Sequence, residues 1–169
     1  QCLDDSSVFD CSLHMNKKDS FHYTLLYQML LDQAGISGSV QTLFPIEKQE
    51  EMAAEQLLVE AGLTTENAWV CMHIGGRRLK VENKMWPVES FVSLARNLLK
   101  HGVTPVLIGV SSELEMGLKL SEEVAEVVNL IGRTSIGEMA AVIDLAGGFV
   151  GHDSGPFHIA VARNTPAVA

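Results

Sequence analysis

The apolar positions of this chain change rhythm near residue 67. Upstream, Leu25, Leu26, Met29 and Leu30 recur at helical spacing, which predicts a helix capped by Ser20 and ended at Gly35 with those four residues on its inner face. A second helix is expected over residues 45–61, because proline suits a first helical turn and Gly62 suits the exit. Downstream, the apolar residues gather into short unbroken blocks: "AWVCMHI", "VTPVLIG", "AEVVNLI", "GGFVGH" and "TPAVA". Amphipathic segments separate them. One follows Pro87, with Val88, Phe91, Leu94, Ala95, Leu98 and Leu99 on one face and Gly102 as its stop. Another runs from Ser111 and Ser112 through Leu120, and a third starts at the S-x-x-E capping box of Ser135 and Glu138. A fourth covers residues 156–163. Residues 1–19 carry no firm pattern.

Strands that are apolar throughout, each followed by an amphipathic helix, specify a parallel sheet covered on both faces. The expected fold is therefore α/β, a Rossmann-like doubly wound sheet from about residue 66 to 169, preceded by a mostly helical segment over residues 1–65.

Composition narrows the chemistry. The chain has 169 residues, 47% apolar and 20% charged, a balance able to fill a core. Its formal net charge of −9 argues against a nucleic-acid surface, which needs a basic stripe. No apolar stretch approaches the roughly 18 residues of a membrane-spanning helix, and no signal segment opens the chain. Cys2, Cys11 and Cys71 lack metal-type spacing and read as reduced thiols, with Cys71 a small buried hydrophobe. A cytoplasmic location is expected. The opening Gln1 and the pattern cut at "TPAVA" suggest a piece of a longer chain.

Ligands of an open parallel sheet bind at the carboxyl ends of its strands. The residues there are His73, Gly75 and Gly76 after the first strand, Glu113 after the second, Arg133 and Thr134 after the third, and Asp153 to His158 after the fourth. In "HDSGPFH", proline opens a helix whose free amides favour an anion, with a dipole contribution of about 0.3 to 1 kcal/mol. His158 can add a ring N–H, while Asp153 can fix the turn or face a sugar hydroxyl. The same four residue types also simply make a good helix start. Glu113 can accept both hydroxyls of a ribose, or stand as a solvated first-turn glutamate. The loop with Arg77, Arg78, Lys80 and Lys84 can bring a mobile charge to a diphosphate, or remain a solvated basic loop. No nucleophile–base pair and no metal-ligand cluster is evident.

The ordered motifs K-x-W-P (residues 84–87), G-R-T-S-x-x-E (132–138) and D-S-G-P-x-H-x-A (153–160) resemble those of the ADP-heptose:lipopolysaccharide heptosyltransferase family. These are GT-B glycosyltransferases, built from two Rossmann-like domains facing across a cleft. The resemblance is strong over residues 67–169 and looser upstream. It implies that residues 1–65 end the N-terminal acceptor domain and residues 66–169 form most of the donor domain. It further implies that Gly75, Gly76 and Lys84 line the donor diphosphate, Glu113 holds the ribose and Thr134 lies near the adenine. Asp153, Ser154, Gly155 and His158 would surround phosphate and sugar.

The implied activity is transfer of heptose from ADP-heptose to a lipopolysaccharide core acceptor with inversion. No metal or other cofactor is expected, the chain is expected to be a monomer, and its parent would touch the inner membrane peripherally. The family's general base lies early in the N-terminal domain, outside this chain, so the donor-binding half alone is expected to be inactive. Ile74 stands where the family usually has proline, and the loop before Lys84 is longer than usual. Two other readings remain open here: a different GT-B enzyme such as a UDP-sugar 2-epimerase, and a non-catalytic nucleotide-sugar-binding module.

Overall fold

The computed structural model describes residues 23–38, 43–64, 67–76 and 85–169. By its contacts the chain divides into two compact units, Gln1–Thr42 and Leu43–Ala169. In the first, helix α1 spans Tyr23–Gln33 and closes with an exposed Gln28 Nε2 to Asp32 Oδ1 hydrogen bond of 2.8 Å. Leu25 and Met29, expected on an inner face, are exposed. Among the described residues of that unit no second element is present to cover them. The expected Ser20 cap lies outside the described residues, as do Cys2 and Cys11.

The second unit holds the sheet. Its five strands are β1 (Ala68–His73), β2 (Val103–Leu107), β3 (Val128–Asn129), β4 (Phe149–Gly151) and β5 (Ala167–Val168). All pairings are parallel, in the order β3-β2-β1-β4-β5. The helices are α2 (Lys48–Glu60), α3 (Val88–Lys100), α4 (Leu114–Glu123), α5 (Ile136–Leu145) and α6 (Gly155–Ala162). A 3₁₀ turn at Ser111–Glu113 leads into α4.

Period-two alternation within apolar strands sends side chains to two separate cores. Cys71, Val106, Ile108 and Phe149 pack with Ala54 and Leu58 of α2, Met139 to Ile143 of α5 and Ile159 of α6. Met72, Ile74 and Leu107 face the other way, toward Phe91, Val92 and Ala95 of α3 and Leu120 of α4. Cys71 is wholly buried, as expected of a small hydrophobe, and burial pushes its thiol well above the ordinary range.

Helix boundaries follow local hydrogen bonding. The Ser135–Glu138 box forms in both directions: Ser135 N–H donates to Glu138 Oε2 at 2.7 Å and Glu138 N–H to Ser135 Oγ at 3.2 Å. Helix α2 starts at Lys48 rather than Pro45, because the Glu50 carboxylate accepts the Glu47 N–H at 2.8 Å and fixes the first turn there. The strands are shorter than their apolar blocks. "AEVVNLI" contributes only Val128–Asn129 to the ladder, while Val127, Leu130 and Ile131 pack in the turns on either side and Ala125 and Glu126 are exposed.

Helix α2 lies with the sheet, packed on α5. By contacts the second unit therefore begins before this helix, whereas the sequence pattern put a boundary at residue 65. If α2 is part of this core, Leu58→Ala should cost about 2–5 kcal/mol of unfolding free energy, because Leu58 is 6% exposed. Val59→Ala on the solvent side should stay within about 0.5 kcal/mol. Denaturant titration distinguishes them, and equal effects would remove α2 from the core.

Candidate functional site

The strand order reverses between β1 and β4: the chain winds outward through β2 and β3, then returns to the other side of β1. Such a reversal opens a crevice at the carboxyl ends of the two central strands. His73 ends β1 and pairs in register with Gly151 of β4, so the segments Ile74–Gly76 and His152–Gly155 leave the sheet side by side. The loop after β2 brings Glu113 to the same edge.

Buried His73 joins these segments. Its Nδ1 lies 3.1 Å from Ser154 Oγ, and its Nε2 lies 3.4 Å from Glu113 Oε2. Ser154 Oγ donates to the His152 carbonyl at 3.0 Å. The hydroxyl can donate to or accept from the ring, so Ser154 and Glu113 together bracket the imidazole at both nitrogens.

Glu113 also accepts the Val110 N–H at 2.9 Å. A Cβ at Gly75 or at Gly109, whose φ is +157°, would overlap the Glu113 carboxylate, so glycine at both positions makes room for it. Burial pushes the Glu113 carboxyl up, but the bond and charge of His73 and the Val110 amide outweigh it and hold the group below its ordinary value.

A second imidazole works alongside the first. Trp86 N–H donates to His152 Nε2 at 2.8 Å, which leaves Nδ1–H to donate to the Gly75 carbonyl at 2.8 Å. The ring also meets Phe91 edge-on, and Phe91 meets Trp86 in the same manner. A cavity of about 600 Å³ lined by Trp86, Phe91, His152 and Val168 adjoins this edge. A roomier concavity of about 780 Å³ opens at the opposite end of the sheet, lined by Leu58, Trp69, Val103 and Leu145. Glu55 and Gly147 also line it, but no histidine does.

Helix α6 starts without a side-chain cap. Ser154 occupies the cap position but makes no cap hydrogen bond. The first intrahelical bond is His158 N–H to the Ser154 carbonyl at 3.1 Å, and Pro156 has no N–H. The Gly155 and Phe157 amides therefore point out of the edge, and a Cβ at Gly155 would meet nothing within 4 Å. Asp153 and His158, both mostly exposed, face each other with Oδ1 and Nε2 3.4 Å apart.

The structure thus gathers Gly75, Gly76, Glu113, Ser154 and Gly155 around one edge, with Asp153 and His158 at its rim. Thr134 lies in the turn after β3, and its hydroxyl is the one buried side-chain polar atom without a partner among the described residues. Lys84, with Arg77, Arg78 and Lys80, lies outside them. The bonding role of His152 was not foreseen; the available signal was a histidine closing an apolar strand block. Among the described residues no group of three or more His, Cys, Asp or Glu side chains is placed to hold a metal ion.

The family model of glycosyltransferase family 9 (heptosyltransferase) matches residues 22–169. The chain belongs to this family. It is 33% identical to lipopolysaccharide heptosyltransferase 2 of Escherichia coli K12 over 91 residues, 51% of this chain and 26% of that protein. The lipooligosaccharide heptosyltransferase 2 of Haemophilus influenzae is 35% identical over an equal length. The matched region thus spans about a quarter of these relatives. A family 9 glycosyl transferase from Veillonella parvula shares the fold with a TM-score of 0.81 at 24% identity, over 92% of this chain and 45% of that one. The E. coli ADP-heptose LPS heptosyltransferase II superimposes with a TM-score of 0.65 at 25% identity, over 79% and 40%. The Rossmann-like reading of the sequence is thereby established. No helix among the described residues is long and apolar enough to cross a membrane.

The lowered Glu113 carboxyl implies a pH dependence with a definite sign. A group whose folded value is depressed stabilises the fold above its unfolded value and loses that contribution as pH falls through the folded one. The stability difference between wild type and Glu113→Gln should therefore be largest near neutrality and shrink below the ordinary glutamate range. Denaturation midpoints across that range test it. A difference that grows on acidification would contradict the assignment.

Proposed function

We propose that this chain forms the donor-binding half of a glycosyltransferase that moves heptose from ADP-heptose to a lipopolysaccharide core acceptor, with inversion. The observation that carries the reading is the pairing, on one sheet edge, of uncapped α6 amides with a carboxylate held across the switch point. Amides facing the edge suit a diphosphate, and a lowered carboxyl suits a ribose diol. The name of the E. coli neighbour, an ADP-heptose transferase, supports the same donor.

In this reading Gly155 and Phe157 donate N–H groups to the diphosphate, with Gly76 beside them. Glu113 accepts the ribose hydroxyls, and Thr134 lies near the adenine. As the bond from anomeric carbon to diphosphate breaks, negative charge grows on the leaving oxygens. Fixed amide dipoles then stabilise it without having to reorient, and Lys84 adds a mobile positive charge. The base that deprotonates the acceptor hydroxyl is assigned to the other domain of the whole enzyme. The protein works in the cytoplasm, at the inner face of the membrane.

Calorimetric titration with ADP and with UDP tests the donor assignment. ADP should bind and UDP should bind at least about tenfold more weakly, a difference near 1.4 kcal/mol. Equal or tighter UDP binding would overturn the ADP-linked donor. Absence of binding by either would remove the donor site.

A further inference from the structure

A serine in the cap position ordinarily turns its oxygen onto the amide of the second or third helical residue. In α6 the second is Pro156, so Phe157 N–H is the one amide that Ser154 could cap. It does not do so. Its hydroxyl proton goes to the His152 carbonyl, and His73 Nδ1 meets the oxygen itself at 3.1 Å. A self-capped α6 would place the serine oxygen where an incoming anion must sit.

We propose that His73 is a positioning residue that holds Ser154 away from its own helix and so keeps the Phe157 amide available to ligand. His73 touches no ligand in this role. It sits at 4% exposure beneath the edge, anchored by Glu113 on its other nitrogen, so its ring has little freedom to release the serine. One side chain therefore sets the orientation of both the carboxylate and the hydroxyl at the mouth of the crevice. The inference rests on the donor-site reading for its consequence, but the hydrogen-bond arrangement can be tested without ligand.

Two substitutions divide the imidazole. An asparagine amide reaches the position of Nδ1 and can keep the bond to Ser154. A glutamine amide reaches the position of Nε2 and keeps Glu113 while freeing Ser154. The experiment is amide hydrogen exchange at Phe157 in the ligand-free 169-residue chain, together with ADP affinity by calorimetry. His73→Asn should match wild type in Phe157 exchange. His73→Gln should slow Phe157 exchange about fivefold and weaken ADP about fivefold, the worth of one cap bond. Adding Ser154→Ala to His73→Gln should reverse both effects.

Identical behaviour of the Asn and Gln variants, or failure of Ser154→Ala to restore exchange, would overturn the proposal. Should either variant fail to fold, the ¹⁵N imidazole spectrum of wild-type His73 decides: an Nδ1 signal displaced by a hydrogen bond supports the proposal and an Nδ1 free of hydrogen bonding overturns it. A wild-type chain that binds no ADP would defeat the donor reading instead, and the exchange comparison would still decide the role of His73.

Discussion

A sheet buried on both faces can carry polar chemistry only at the ends of its strands. The two cores of this chain enforce that constraint, since Cys71 and Phe149 fill one face while Met72 and Leu107 fill the other. The reversal of strand order then selects which end region is open, between β1 and β4. His73 is the last residue of the central strand and one of the few buried polar side chains among the described residues. From there it reaches the loop after β2 on one side and the start of α6 on the other.

The charge balance of the protein makes this placement informative. An acidic chain of net charge −9 offers no general attraction to a diphosphate. In the proposed site attraction comes from local, oriented groups: the amides of α6 and a lysine brought over the edge. The acidic residues at the edge each lie beside an imidazole, Glu113 by His73 and Asp153 by His158. The two pairs differ in burial. The first is largely shielded from solvent, so it fixes geometry; the second is exposed, and screening leaves it little energetic weight.

Much of this architecture was legible in the sequence for a physical reason. Parallel strands covered on both faces produce unbroken apolar blocks, and these marked all five strands. The Ser135–Glu138 box marked a helix start because both of its bonds are local. The placement of Glu113 and the "DSG" turn followed from the rule that strand ends share one edge. What could not be read were bonds that depend on how separate loops approach. The Trp86 amide on the His152 ring joins residues 66 positions apart. The crowding of Gly75 against the Glu113 carboxylate likewise depends on how the loops after β1 and β2 approach. Nor did the pattern show that α2 packs on α5, since a helix with few buried positions gives a weak stripe.

The account places ligand at the carboxyl edge and not in the roomier concavity at the far end of the sheet. Backbone amide shifts during an ADP titration of the ¹⁵N-labelled chain test this most directly. The predicted result is that the largest movements fall on Gly75, Gly76, Gly155 and Phe157. Movements concentrated on Leu58, Trp69, Val103 and Leu145 would contradict it.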